Sequence, residues 1–581
     1  MADEGRRPAA AALLVYVSLA VLLTAEVWFA SSTRWIGSCC DPEQTIWFLG
    51  WIPHAIQHGV DPFVTYQINA PAGANLMWNS SIPLISLAMT PVTLTAGPIV
   101  AYNLAIVGSI ALSAWCTFLA LRRYTSSTIA ALIGGAVYGF SPYVTSHGAL
   151  HLNLIAVWAP PLLLLLLDEL LIRRQRSPTM LGATIGLVAA GQLLTSEEIL
   201  ATSAVAAVIF VGAAAAVLVR RRSDAAAAGR RLAEAFLPAG VLFTLVAAWP
   251  LAVQFFGPQR IAGPVQNLET FSTDLLNLLI PTSYQLFSPA GASNVSGEFS
   301  GLFHEATAYV GLPLLLFMAA FAGARWPDLR VRVAGLMAGT MFVVSLGPVL
   351  QIGSESTGVP MPWAPFSGLP LLEHALPGRF TLFMWLAIAA IVALMVDWLR
   401  GMRIRSAVPG LVALAAALAV AAPAPLGWST TAVPVFFERW DRQGIPDDAI
   451  VLMAPYFTNG AGADPMLWAA VAGNNLRMYE AYAYVPLPDG RPSYGPPSTQ
   501  LSNIMVEIQD HGTSLVARGA VRAQVGQDLA TAGITHVIVG PTTYSSEMIA
   551  FFTDLFGRQP QLVDGVVLWR DVDRAGIAPV P

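Results

Sequence analysis

Apolar stretches recur eleven times along the first 424 residues, near 10–30, 98–121, 126–143, 152–172, 178–194, 199–219, 233–256, 307–324, 333–350, 380–399 and 406–424. Each is roughly 17 to 25 residues long, the length an α-helix needs to cross about 30 Å of hydrocarbon, so the pattern predicts about eleven transmembrane helices. The segment Ile82 to Thr95 is also apolar, but Pro83 and Pro91 break it, and counting it as a span would invert every later loop. It reads as an interfacial or re-entrant piece. After Pro434 the apolar runs shorten, charges return and turn signals appear at Asn459-Gly460, Asp489-Gly490 and Pro496-Pro497. There Ala449–Met453, Thr535–Val539 and Val566–Trp569 predict buried strands, and Ser514–Ala532 predicts a helix feeding the second of them. The pattern therefore describes a polytopic α-helical membrane domain over 1–430 and an α/β domain of ordinary size over 431–581.

Arginine gives the chain a sidedness. Clusters at Arg6-Arg7, Arg122-Arg123, Arg173 to Arg176, Arg220 to Arg231, Arg325 to Arg332 and Arg400 to Arg405 fall at alternate boundaries between apolar runs. The positive-inside rule makes them cytoplasmic. Between them lie arginine-poor segments at about 31–80, 141–151, 195–198, 257–306 and 351–378, rich in polar and aromatic residues, which then face outward. With the amino terminus inside, the odd number of spans places 431–581 outside. The first apolar run is too long, and has too poor a cleavage site, for a removed signal peptide, so it reads as a retained helix.

Composition strengthens the membrane reading: 55% of residues are hydrophobic and 11% charged, against about 25% charged in soluble domains. A net charge of −5 says little about partners when charge is segregated across a membrane. All 30 basic residues are arginine, which with the alanine excess points to a GC-rich bacterial genome and so to a bacterial plasma membrane. Three cysteines exclude a disulfide framework. Cys116 lies in a span, and Cys39 and Cys40 are neighbours in the first outer loop, where an oxidising compartment permits a strained vicinal disulfide.

The candidate chemistry sits on the outward segments. The first loop, 31–80, carries Cys40-Asp41-Pro42-Glu43-Gln44, then Trp47, Trp51, His54, His58 and Asp61. Asp41 at N-cap, Pro42 at N1 and Gln44 at N3 is a helix-start signature, and Trp47 with Trp51 suits a helix lying on the membrane surface. The same carboxylates are placed to act as a general base on a hydroxyl delivered from outside, their pKa tuned by burial or by each other. The run Asn69 to Leu76 reads either as a loop held over a site or as a plain turn. His147 and His151 stand four apart, a spacing that suits a metal on a helix, although Gly148 intervenes and no third ligand is near in sequence; polar or substrate contacts are favoured. Glu197 and Glu198 occupy a short outer turn where carboxylates near membrane depth are costly. The long loop 257–306 holds Arg260, Glu269, Asp274, Glu298 and His304, and long irregular loops are usually functional or disordered. Glu373-His374 and Arg379 lead into the tenth apolar run. Arg379 sits at the depth of lipid phosphates, which a guanidinium binds in a fork or to which it snorkels as an ordinary interfacial residue.

At Asp41-Pro42-Glu43 the chain resembles the GT-C superfamily of membrane glycosyltransferases: a long first outer loop with an acid pair, surface helices within it, about a dozen spans and an outward α/β domain. The resemblance implies an inverting transfer of sugar from a polyprenyl-phosphate carrier to an extracytoplasmic glycan, lipid or protein acceptor, with Asp41 or Glu43 as the base. Read from their own positions, His54, His147, His151, Glu197, Glu198, Arg260, Glu373, His374 and Arg379 are the candidates for substrate contacts in such a reaction, with membrane lipids as surroundings and no cofactor expected. No P-loop or Gly-rich nucleotide fingerprint occurs, and no nucleic-acid partner is expected. A transporter or flippase would instead show inverted repeats and ionisable residues at mid-membrane. The spans carry almost none. A non-catalytic membrane scaffold is the remaining alternative.

Overall fold

The computed structural model describes residues 2–574 except 39, 219–221, 302, 370–371 and 458–460. Cys39, Arg220 and Arg221, and the Asn459-Gly460 turn lie outside the described residues. The chain forms two compact units that interleave in sequence: 1–29, 104–248 and 264–427 make one, and 30–103, 249–263 and 428–581 the other. A single boundary near residue 430 therefore does not separate them.

Helices occupy each of the eleven predicted apolar stretches. Among the described residues, four helical segments are long and apolar enough to cross a membrane alone: Pro98–Leu121, Leu152–Arg173, Ala226–Phe256 and Pro377–Arg400. The pair Thr128–Gly139 and Pro142–Gly148, bent by 43°, makes a fifth if it counts as one span. The bend is local chemistry: Ser141 accepts from the Val144 N–H at 3.4 Å and Pro142 starts the second helix, since proline lacks the N–H that a continuous helix would need.

At the centre of the first unit the helix Thr381–Arg400 is buried over nearly its whole length, packed against Thr128–Gly139 and Leu329–Ser345. Small residues make this approach close. A Cβ on Gly134 would stand 2.9 Å from the Ala393 Cβ, and one on Gly135 would stand 2.7 Å from the Ala114 carbonyl oxygen. Without a hydrophobic drive between helices in lipid, such small-residue contacts supply the packing. Asp397 then anchors the neighbouring turn by accepting from the Ser126 and Ser127 N–H groups at 3.0 and 2.8 Å.

The second unit is built on a five-stranded sheet in the order Gln561–Val563, Val566–Trp569, Ile534–Val539, Ile450–Ala454, Arg477–Met478. The last three run parallel and the first two antiparallel to their neighbours. The predicted strands appear within one residue of their expected ends. The helix expected over 514–532 starts only at Gly519, whose φ of +52° belongs to a turn that only glycine adopts without cost. Leu501, Ile504, Met505 and Ile508 bury one face of Gln500–His511 against the sheet side, the i, i+3, i+4, i+7 stripe of an amphipathic helix.

The first outer loop folds into this same unit. Trp35–Ile36 pairs antiparallel with Trp428–Ser429, and the helix Asp41–His58 packs on Pro83–Ala96 and Asp464–Val471. Pro83–Ala96 is the apolar piece read as interfacial. Gly50 lets Asn474 reach across: a Cβ there would meet the Asn474 Oδ1 at 2.4 Å, and Asn474 donates to the Trp47 carbonyl at 3.1 Å. Asn69 and Ala70 are tied to the last parallel strand and the segment after it, Ala70 N–H to the Met478 carbonyl at 2.9 Å and Ala481 N–H to Asn69 Oδ1 at 3.1 Å.

Candidate functional site

Two groups of polar side chains stand out, one in each unit. The first lies at the amino end of Asp41–His58. Cys40, not Asp41, is the N-cap, and it makes no side-chain cap bond; Asp41 is the first helical residue, one position further in than the capping reading placed it. Its carboxylate accepts from the Tyr482 hydroxyl at 2.8 Å. The cap was misplaced because Pro42 is acceptable at either of the first two helical positions, so it does not fix which residue precedes the helix. Cys40 is disulfide-bonded and Cys116 is free and buried.

Glu43 is 5% exposed, and its Oε2 has no hydrogen-bond partner among the described residues. Burial pushes its pKa up to about 7, with the nearby Asp464 and Asp41 charges adding to the rise. Asp464, the first residue of its helix, is itself raised by burial. Three carboxylates thus gather where two helix N-termini supply partial positive charge.

Tyr482 links this group to a stack of rings. Its ring lies 4.5 Å from that of Phe457 and 4.8 Å from that of Tyr494; Tyr494 sits opposite Tyr484 in a short hairpin and their hydroxyls bond. Burial, then the Asp41 charge, holds the Tyr482 hydroxyl well above the usual tyrosine range, so it stays a donor. Glu480, behind the stack, is also pushed well up by burial and bonds Tyr456.

In the first unit Arg379 is 4% exposed in the turn Pro377–Phe380. Its Nε donates to Glu198 at 3.1 Å, and its Nη1 meets His147 Nε2 at 3.0 Å and Glu305 Oε2. His304 reaches Glu305 at 3.9 Å, and the His151 ring lies between those of His147 and His304, 5.7 and 5.3 Å away. Ligand atoms of His147, His151 and Glu305 all fall within 4.8 Å of one another, a set able to hold a divalent ion. The cation seated against Glu305 and His147 here is the Arg379 guanidinium.

The structure thus brings Asp41 and Glu43 together, and separately joins Arg379, Glu198, His147 and His151. It leaves others apart. His54 is thirteen residues beyond Asp41, roughly 20 Å along the helix, stacked between Trp51 and His58 and bonded to the Gly473 carbonyl. Glu373 and His374 pair with each other at 3.8 Å, about a third exposed. Arg260 is exposed, and Glu197 adjoins Glu198 at its helix start. Sequence reasoning passed over Tyr482, Asp464 and Glu305. The tyrosines at 479, 482, 484 and 494 and a His-Glu pair directly before the span near 307 were the signals available for them.

The family profile described as "Domain of unknown function (DUF6311)" matches residues 12–424. The chain belongs to the DUF6311 family. Among curated proteins, none matches this DUF6311 sequence. Among solved structures, it resembles the arabinofuranosyltransferase AftD from Mycobacteria at 14% identity and TM-score 0.50, over 96% of this chain and 40% of that one. The archaeal oligosaccharyltransferase AglB from Archaeoglobus fulgidus, solved with an inhibitory peptide and a dolichol-phosphate, aligns at 12% identity and TM-score 0.49, over 94% and 71%. The DUF6311 chain spans less than half the length of AftD. The likeness to AftD is one of fold alone.

Proposed function

We infer that this DUF6311 protein is an inverting membrane glycosyltransferase that moves a sugar from a polyprenyl-phosphate carrier to an acceptor outside the cytoplasm. The observation that carries the reading is the Asp41–Tyr482 bond beside the buried Glu43: a half-buried carboxylate oriented by a tyrosine, with a second acid titrating near neutrality. Asp41, the more accessible acid, takes the proton of the acceptor hydroxyl. That oxygen attacks the anomeric carbon, the bond from carbon to the phosphate oxygen breaks, and the polyprenyl phosphate leaves with the electron pair. A base of this kind contributes typically 10²- to 10⁴-fold. The half-buried faces of Tyr482, Tyr484 and Tyr494 offer the mixed apolar and hydroxyl surface that a sugar ring recognises, which favours a glycan acceptor.

Arg379 is assigned to the carrier phosphate. The phosphate would displace Glu198, whose side chain is 22% exposed, rather than the 7%-exposed Glu305. The arginine clusters support eleven spans, an inward amino terminus and an outward 431–581 region in a bacterial plasma membrane. Asp41→Asn tests the core of this reading, since Asn at the first helical turn preserves shape while removing the base. Sugar transfer in membranes supplied with polyprenyl-phosphate sugar should drop by at least 10²-fold with expression unchanged; full activity in both Asp41→Asn and Glu43→Gln would reject the site.

A further inference from the structure

Within the first unit a cavity of about 400 Å³ lies between the helices Ala159–Asp168, Glu197–Leu218, Leu329–Ser345 and Thr381–Arg400. Its walls are apolar, with Leu163, Leu167, Phe210 and Leu386 prominent. Along Thr381–Arg400 it runs from Phe383 to Leu394, eleven residues or roughly 16 Å, about half of a hydrocarbon core roughly 30 Å thick. It has the depth of one leaflet. Its charged lining gathers at one end, where Asp168, Arg173 and Arg330 stand with Tyr124 and Thr125, and Ser203 is the remaining polar residue of the wall; Arg379, Glu198 and His147 do not line it.

That end carries an excess of positive charge. The segments 122–123, 173–176 and 325–332 hold eight arginines, against Asp168, Glu169, Asp328 and Asp397. Arg330 is paired with Asp328 and donates to the Tyr124 carbonyl, and Arg173 is paired with Asp168. Both side chains still expose about a third to a half of their surface, 32% and 49%. Basic pockets between transmembrane helices on the cytoplasmic side bind anionic lipid headgroups. We propose that this cavity holds one acyl chain of an anionic phospholipid from the arginine-side leaflet, its phosphate resting on Arg173 and Arg330. A carrier whose phosphate sat at Arg379 would find no cation in this cavity's lining away from the Arg173 and Arg330 end. The proposal concerns lipid binding and stands apart from the catalytic reading.

The full-length protein in detergent, titrated with phosphatidylglycerol and with phosphatidylcholine of equal chain length and read by native mass spectrometry, tests it. Phosphatidylglycerol should bind at least tenfold more tightly, and a dihexanoyl analogue, lacking the long chain, should bind weakly. Arg330→Gln should weaken phosphatidylglycerol about fivefold, the worth of one basic residue near an anionic surface. Ala390→Phe should abolish binding by filling the cavity; if that variant misfolds, the chain-length comparison on unaltered protein decides. Equal binding of the two headgroups, no dependence on chain length, or displacement of phosphatidylglycerol by equimolar polyprenyl phosphate would each overturn the assignment, the last by giving the cavity to the carrier's tail.

Discussion

Glu43→Gln should remove a pH dependence of stability that the wild-type chain carries. The Glu43 carboxyl is lifted from 4.5 to about 7, chiefly by burial, so folding favours its neutral form. At 1.36 kcal/mol per unit, that difference amounts to about 3 kcal/mol. The stabilisation is fully present below pH 4.5, where both states are protonated. It is lost as pH rises to about 7, because the unfolded chain releases its proton first and the folded chain must then ionise a buried acid. Glutamine keeps the shape and stays neutral. The wild type should therefore lose about 3 kcal/mol relative to Glu43→Gln between pH 4.5 and pH 8. Apparent melting temperatures of both proteins, taken in one detergent at one scan rate and at steps from pH 4.5 to pH 8, would show the two curves diverging as pH rises. Unfolding of such a chain is scan-rate dependent, so the difference between curves is the quantity to read. Parallel curves would refute the argument, since Glu43 would then be ionised without cost and its burial would not govern its chemistry.

Tyr482→Phe deletes the hydroxyl that holds Asp41; a hydrogen bond to a charged group is worth about 1.5 to 3 kcal/mol, so turnover should fall roughly 10- to 150-fold with donor KM unchanged, as steady-state assays would report. Arg379→Ala leaves Glu198 and Glu305 without their cation. Breaking a buried pair this way costs about 3 to 5 kcal/mol, so the melting temperature should drop clearly, and adding Glu305→Gln should restore part of it; no drop would mean the cluster is not a coupled unit. In cysteine-accessibility labelling, positions beside Arg174 should react only from inside and Ser293 and Asp510 from outside, and protection of Asp510 in intact cells would invert the proposed sidedness.

The apolar periodicity by itself placed helices at all eleven stretches and strands at Ala449–Met453, Thr535–Val539 and Val566–Trp569, which the fold has at Ile450–Ala454, Ile534–Val539 and Val566–Trp569, because burial in lipid or in a sheet core demands continuous apolar runs that no local turn chemistry can imitate. It also singled out Asp41, Glu43 and Arg379, residues whose charge is conspicuous against such a background. What it could not give was partnership. Tyr482 lies 441 positions from Asp41, and Glu305 lies 74 from Arg379, and nothing in local sequence records which distant side chain fills a donor's valence. The division into units was equally hidden: the pairing of Trp35–Ile36 with Trp428–Ser429 and the packing of Asp41–His58 on Asp464–Val471 bind a loop near the amino terminus to the carboxy-terminal part of the chain. Hydrophobic pattern determines which segments are buried, whereas backbone pairing and close packing across long separations decide what each is buried against, and the pKa of Glu43 belongs to that second decision.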